Sequence, residues 1–205
     1  MIGEVVRCAA ANPSTAAIPP MIPYARHTIT DAARRAVLRV LRSDRLTQGP
    51  EVPRFEAALA RACGVPHAVA LSSGTAALEA IFASIPPGRV VVPALTFVAT
   101  AAAARRAGHT VEFADVDDGT LCLSAGDLWK TAASGAAPLG AVVGVDFAGH
   151  PCDWPSFRMA FPSSWIIGDC AHSLGARYAG HAAPSWPDAA ALSFHPAKAE
   201  IDLST

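Results

Sequence analysis

From His67 to Phe194 short apolar runs alternate with stretches whose apolar residues recur at helical spacing, and this alternation constrains the fold more than any other feature. His67 to Leu71, Arg89 to Val92, Thr110 to Phe113, Gly140 to Val145, Trp165 to Gly168 and Ala189 to Phe194 read as strands. Thr75 to Ser84, Phe97 to Arg106 and a weaker Ser156 to Ala160 read as helices between them. Repeated strand and helix units predict an α/β fold with a mostly parallel sheet and helices on both faces. Upstream, Ala33, Val37, Leu38 and Leu41 share one face of an amphipathic helix, with Thr30 or Asp31 as its N-cap. After the turn Thr47 to Pro50, Phe55, Leu59 and Ala62 mark a short second helix that Gly64 stops.

A chain of 205 residues suits one ordinary domain, or one and a fragment, and 52% hydrophobic residues give it material for a sizeable core. The formal net charge of -1 removes the broad attraction that nonspecific binding to nucleic acid or an anionic membrane requires. The five cysteines Cys8, Cys63, Cys122, Cys152 and Cys170 are scattered and form no Cys-x-x-Cys pair. They indicate neither a disulfide framework nor a metal site, and a reducing, cytoplasmic setting is expected. Residues 1–20 read as a loose leader, since Met1 to Ala17 lacks the sustained apolar stretch of a signal peptide or membrane helix. Lys130 and Lys198 are the two lysines, so lysine chemistry has two places to reside.

In open parallel sheets ligands bind beyond the carboxyl ends of the strands. The residues expected there are Ser72 to Thr75, Pro93 to Phe97, Asp146, Asp169 to His172 and Ser193 to Lys198. Ser72-Ser73-Gly74-Thr75 follows one strand and opens a helix, where free backbone N–H groups can hold a phosphate. It lacks the Gly-Lys-Ser/Thr ending of a P-loop, and the same residues also suit a plain strand-to-helix turn. Asp169 closes an apolar strand, where it either caps the next turn or pairs with a cation shielded from water. His172 is either a core or surface group or a neighbour of the same ligand. Lys198 is either a solvated lysine or, partly desolvated at the cleft rim, a Schiff-base amine. Lys130, in a polar helical region, is expected to be solvated. Taken jointly, a phosphate cradle, an acid for a ring nitrogen, an aromatic at Phe97 and a Schiff-base lysine are the parts that pyridoxal phosphate needs.

Seven segments also carry a likeness, in order along the chain. They are Ile22-Pro23-Tyr24, Leu46 to Pro50, Ser73 to Leu78, Pro93 to Thr100, Asp115-Val116-Asp117, Asp169 to Ala176 and Ser193 to Lys198. Together they resemble the DegT/DnrJ/EryC1/StrS aminotransferases, nucleotide-sugar enzymes of the fold-type-I pyridoxal-phosphate class. The resemblance implies that Lys198 forms the Schiff base and that Asp169 partners the pyridinium nitrogen. It implies that His172, where many relatives have Gln, neighbours the ring and its phenolic oxygen. Gly74, Thr75 and Ser193 would then bind the phosphate and Phe97 would stack on the ring, while His150 and His195 receive no role.

Within the family, Asp146 to Asp153 and Ser193 to Lys198 most resemble enzymes of pseudaminic-acid synthesis. Those enzymes aminate C4 of a UDP-linked 4-keto-6-deoxy-N-acetylhexosamine with glutamate as donor. The resemblance also implies a homodimer. Relatives continue past the lysine, so the expectation is a pyridoxal-phosphate-binding large domain over residues 21–198, incomplete at its C-terminus. The expectation also includes an unmatched tail over 199–205 and the absence of the small C-terminal domain. The alternative is a truncated, noncatalytic remnant of such an enzyme. A sugar dehydratase of the same superfamily is disfavoured, because those relatives carry His where this chain has Lys198.

Overall fold

The computed structural model describes residues 29–135, 137–196 and 198. The expected leader over 1–20, the segment Ile22 to Tyr24 and the tail over 199–205 lie outside the described residues. Helix α1 spans Asp31–Leu41, and of the two candidate caps Thr30 acts, its hydroxyl accepting from the Ala33 N–H. Helix α2, Glu51–Cys63, has 13 residues and is therefore not the short helix expected; it ends at Gly64, whose φ of 66° suits a residue without a Cβ.

Next come α3 (Gly74–Ala83), β1 (Arg89–Pro93), α4 (Val98–Arg106), β2 (Thr110–Ala114), α5 (Ala125–Ser134) and β3 (Leu139–Val145). They are followed by α6 (Trp154–Ala160), β4 (Trp165–Asp169), the two-residue strands β5 (Arg177–Tyr178) and β6 (His181–Ala182), and β7 (Ala189–Ala191). Five strands form one parallel sheet in the order β2-β1-β3-β4-β7. The chain runs outward from β1 to β2 and then resumes on β1's other side at β3, so strand order reverses between β1 and β3.

The period-two alternation of a strand assigns each apolar residue of β1 to one of two cores. Val90 and Val92 pack with Leu78 and Phe82 of α3 and Ala99 and Ala103 of α4. Val91 faces the other way, toward Leu128 of α5 and Trp154 and Phe157 of α6. Helices therefore cover both faces, as the alternating pattern requires. On the second face Gly144 of β3 lies beside Gly168 of β4. A Cβ at Gly144 would meet the Trp154 ring at 2.6 Å, and one at Gly168 would meet the Pro187 side chain at 2.8 Å. The two glycines thus form the flat floor on which the indole lies.

Two strand expectations need correction, and one element was not foreseen. His67 to Leu71 is no strand: it pairs with no described strand, and the Ala70 N–H donates to the Glu56 carboxylate instead. The last strand stops at Ala191, not Phe194, because its partner β4 ends at Asp169, which is opposite Ala191. Beyond that point the chain packs against the first turn of α3. The β5–β6 hairpin was not anticipated; its turn places Ala179 at φ 47° and Gly180 at φ 84°. Among the described residues no helix is long and apolar enough to cross a membrane.

Candidate active site

The carboxyl ends of β1, β3, β4 and β7 open on a cavity of about 1080 Å³. Gly74, Thr75, Phe97, Asp169, His172, Ser193 and Lys198 all line it. They reach the cavity from four stretches of the chain, and local sequence explains how.

Ser73 caps α3 by accepting from the Ala76 N–H at 3.1 Å. That leaves the Gly74 and Thr75 N–H groups at the positive end of the helix dipole. A Cβ at Gly74 would stand 3.3 Å from both the Leu192 carbonyl oxygen and the Ser193 Cβ, so glycine lets the helix start press against the segment after β7. Two stretches far apart in sequence are thereby joined, and the half-buried Thr75 and Ser193 side chains flank the helix start. Phe194 is braced from below by Phe55 of α2, the rings meeting edge to face with centroids 5.0 Å apart. Ser193 Oγ accepts from the His195 N–H at 3.4 Å, and the His195 carbonyl accepts from the Lys198 N–H at 2.8 Å. The turn so formed carries the Lys198 side chain back over the cavity.

Asp169, the last residue of β4, is buried at 7% exposure. Among the described residues no Lys, Arg or His nitrogen forms an ion pair with it. Its oxygens accept from Thr100 Oγ1 at 2.7 Å and from the Ala171 N–H at 3.3 Å. A buried carboxylate without a cation is costly, so this arrangement calls for a cationic ligand. His172 Nε2 is in direct contact with Lys198 Nζ. Partial burial, then the neighbouring Lys198 charge, hold the His172 imidazole below its ordinary value, while Asp169 opposes them. At neutral pH the imidazole is therefore uncharged and free to accept from the amine. Phe97, just before α4, is 71% exposed at the cavity rim.

Lys130 behaves differently: it is exposed on α5 and pairs with Asp127 one turn back, at 2.7 Å. His195 lines the cavity and joins the Lys198 turn through its carbonyl, while His150 is not among the residues lining it; the His150 carbonyl accepts from the Cys122 thiol at 3.4 Å. Two roles were not singled out from the sequence. One is that of Thr100, buried on α4, which the sequence offered only as the last residue of the Pro93 to Thr100 likeness. The other is the enclosing role of Asp146, which follows β3. It is fully buried and accepts from the Cys152 N–H at 2.8 Å, the Ser173 hydroxyl at 2.5 Å and the Cys170 thiol at 3.4 Å. Asp146 thus anchors the loop that carries His172. Burial pushes its carboxyl above the ordinary range, and the three donors pull the other way.

Chemically, one cavity offers an amine, a neutral imidazole, a buried acid, an exposed aromatic and a helix start suited to a phosphate. Known proteins share this architecture. A family model described as the DegT/DnrJ/EryC1/StrS aminotransferase family matches residues 27–200. A UDP-4-amino-4,6-dideoxy-N-acetyl-beta-L-altrosamine transaminase from Campylobacter jejuni is 34% identical over 183 residues, 87% of this chain and 48% of that protein. The spore coat polysaccharide biosynthesis protein SpsC of Bacillus subtilis is 34% identical over 86% of this chain and 46% of its own length. The chain spans about half the length of the curated relatives it matches.

Among solved structures, Streptococcus pneumoniae Spr1654 in its PLP-form superimposes with a TM-score of 0.78 at 29% identity, covering 86% of this chain and 50% of that one. Helicobacter pylori PseC, an aminotransferase involved in the biosynthesis of pseudoaminic acid, gives 0.78 at 29% identity over 86% and 48%. The parallel sheet and its helices are thus those of the pyridoxal-phosphate-dependent aminotransferases. The chain belongs to the DegT/DnrJ/EryC1/StrS aminotransferase family.

Proposed function

We propose that this protein is a pyridoxal-phosphate-dependent aminotransferase that moves an amino group from glutamate to the C4 ketone of a UDP-linked 4-keto-6-deoxy-N-acetylhexosamine. The observation that carries this reading is that Lys198 and the buried Asp169, which has no ion pair among the described residues, line the same cavity, with His172 in contact with the amine. The Campylobacter relative, named as a UDP-amino-sugar transaminase, and the neighbour PseC support the choice of sugar.

The residues present fit the cofactor. An acid enclosed without a counter-cation suits a protonated ring nitrogen, and the Gly74 backbone pressed on Ser193 makes a narrow, donor-lined seat for a phosphate. When bound, pyridoxal phosphate supplies a carbonyl carbon for exchange of amines and a ring that withdraws electrons. Asp169 would keep the ring nitrogen protonated. Gly74 and Thr75 would hold the phosphate through backbone N–H groups and the Thr75 hydroxyl, with Ser193 adding a second hydroxyl. Phe97 would cover the ring face and exclude water. Lys198 Nζ would anchor the cofactor covalently and, once displaced by the donor's amine, move a proton from the donor's Cα. His172, neutral, would accept from Nζ and keep the amine directed at the ring. The same reading expects a homodimer in the cytoplasm, which sedimentation of the purified protein checks for the dimer.

A spectrum provides the test. The protein mixed with pyridoxal phosphate should develop an absorbance band near the visible edge, and Lys198→Ala should lack it. Glutamate should bleach the wild-type band, and the keto-sugar nucleotide should restore it. A band that persists in Lys198→Ala, or no band in the wild type, sinks the reading.

A further inference from the structure

We infer that Thr100 is a positioning residue for Asp169, the inner member of a hydroxyl relay that begins at Thr96; this rests on the cofactor reading above. Thr100 lies in the first turn of α4, has no exposed surface, and donates from Oγ1 to Asp169 Oδ2 at 2.7 Å. Its Oγ1 is also 2.8 Å from Thr96 Oγ1. A hydroxyl has one proton to give, and Thr100 gives it to the carboxylate. Thr96 must then be the donor in the second bond, which fixes the direction of the whole chain: Thr96 to Thr100 to Asp169. Each link polarises the next, so the last bond to the carboxylate is stronger than an isolated hydroxyl would make it.

A buried threonine within a helix ordinarily returns its proton to a backbone carbonyl one turn back. Here the residue one turn back supplies a hydroxyl instead, and the proton of Thr100 crosses to a different element, β4. The consequence lies in the carboxylate's torsion. Rotation about the last bond of an Asp side chain is broad and roughly two-fold, so an unheld carboxylate offers either oxygen. With Oδ2 engaged by Thr100, and Oδ1 touched only by the longer 3.3 Å bond from the Ala171 N–H, Oδ1 is the oxygen left for a ring nitrogen. The relay also ties the acid to the loop of Phe97, which follows Thr96 directly and borders the same cavity. Ring face and ring nitrogen would then be located by one hydrogen-bonded unit.

The test uses pyridoxal phosphate labelled with ¹⁵N in the ring, bound to the purified protein and observed by NMR. The wild type should show the ring nitrogen protonated. Thr100→Val, which keeps the shape and removes the hydroxyl, should move the signal toward the unprotonated position, and Thr100→Ser should return it. Thr96→Val should move it in the same direction by less. The rate of glutamate-driven bleaching should fall about tenfold to a hundredfold in Thr100→Val, the scale of one lost bond to a charged group, and recover in Thr100→Ser. An unmoved ring signal in folded Thr100→Val overturns the relay and leaves the cofactor reading standing. A wild type that takes up no cofactor defeats both. Should Thr100→Val fail to fold, Thr100→Ala and Thr96→Val carry the test, and an unmoved signal in whichever of them folds overturns the proposal.

Discussion

Asp146 and Asp169 stand at the ends of neighbouring strands, joined by a backbone bond from the Asp146 N–H to the Asp169 carbonyl at 3.1 Å. Asp169 has one short donor and faces the cavity; Asp146 has three donors, all from the loops it ties together, and no exposed surface. Burial raises the Asp146 carboxyl in the folded chain above its unfolded value. Between those two values the folded protein retains a proton that the unfolded chain releases, so this group's contribution to stability falls as pH rises through the window. An amide at the same place cannot titrate. Stability of Asp146→Asn should therefore gain on that of the wild type as pH rises from about 4, the ordinary aspartate value, and level off above the folded-state value. Melting curves over a pH series check it, and a difference between the two proteins that does not change with pH would remove Asp146 from this role.

At the scale of elements, Gly144 and Gly168 matter for their lack of a side chain and not for backbone freedom, since both sit in ordinary strand conformation with an indole across them. Gly144→Ala should cost about 1–3 kcal/mol, because Trp154 is fully buried and cannot swing aside. A smaller ring at 154 should make the added methyl less harmful. The coupling in a Gly144→Ala and Trp154→Phe cycle should thus be favourable by at least ~0.5 kcal/mol, measured by denaturant unfolding. A coupling near zero would show that the ring and the glycine do not meet.

Strands β1, β3 and β4, which carry this packing, were legible because they are apolar and largely buried. So were α1, α2 and α3, whose caps Thr30, Gly64 and Ser73 are written in residue type. His67 to Leu71 misled because its composition suits a strand, while a strand exists only where a neighbour pairs with it. The hairpin gave little signal, since Ala179 is an unusual residue in the left-handed region and Gly180 alone is weak. The residues expected at the site came from strand ends and from likeness, and the structure places them along one cavity. The link from Thr100 to Asp169 was not legible, because a hydrogen bond across 69 positions of chain leaves no local pattern.

For the whole molecule, stability is graded from the centre of the sheet outward. Val90, Val91 and Val92 of β1 have no exposed surface, and β1 is paired on both sides. At the other extreme α1 has 11 residues and buries none of them; Val37, Leu38 and Leu41, the face that its periodicity marks as apolar, are 58%, 48% and 62% exposed. An isolated helix shorter than about 12–15 residues is marginal in water even with a good cap. The Thr30 cap and the exposed Arg34–Asp31 pair add little, surface pairs being worth roughly 0–1 kcal/mol. Periodicity therefore established that α1 is a helix with an apolar face, but not that the face is covered. Opening of α1 should cost far less than opening of the sheet, with its amides exchanging on the order of a thousand times faster than those of β1. Hydrogen exchange followed by mass spectrometry on peptides covering 31–41 and 89–93 measures the ratio directly. Equal protection of the two peptides would mean that α1 is docked on a surface in solution, and the gradient from sheet to rim would have to be redrawn.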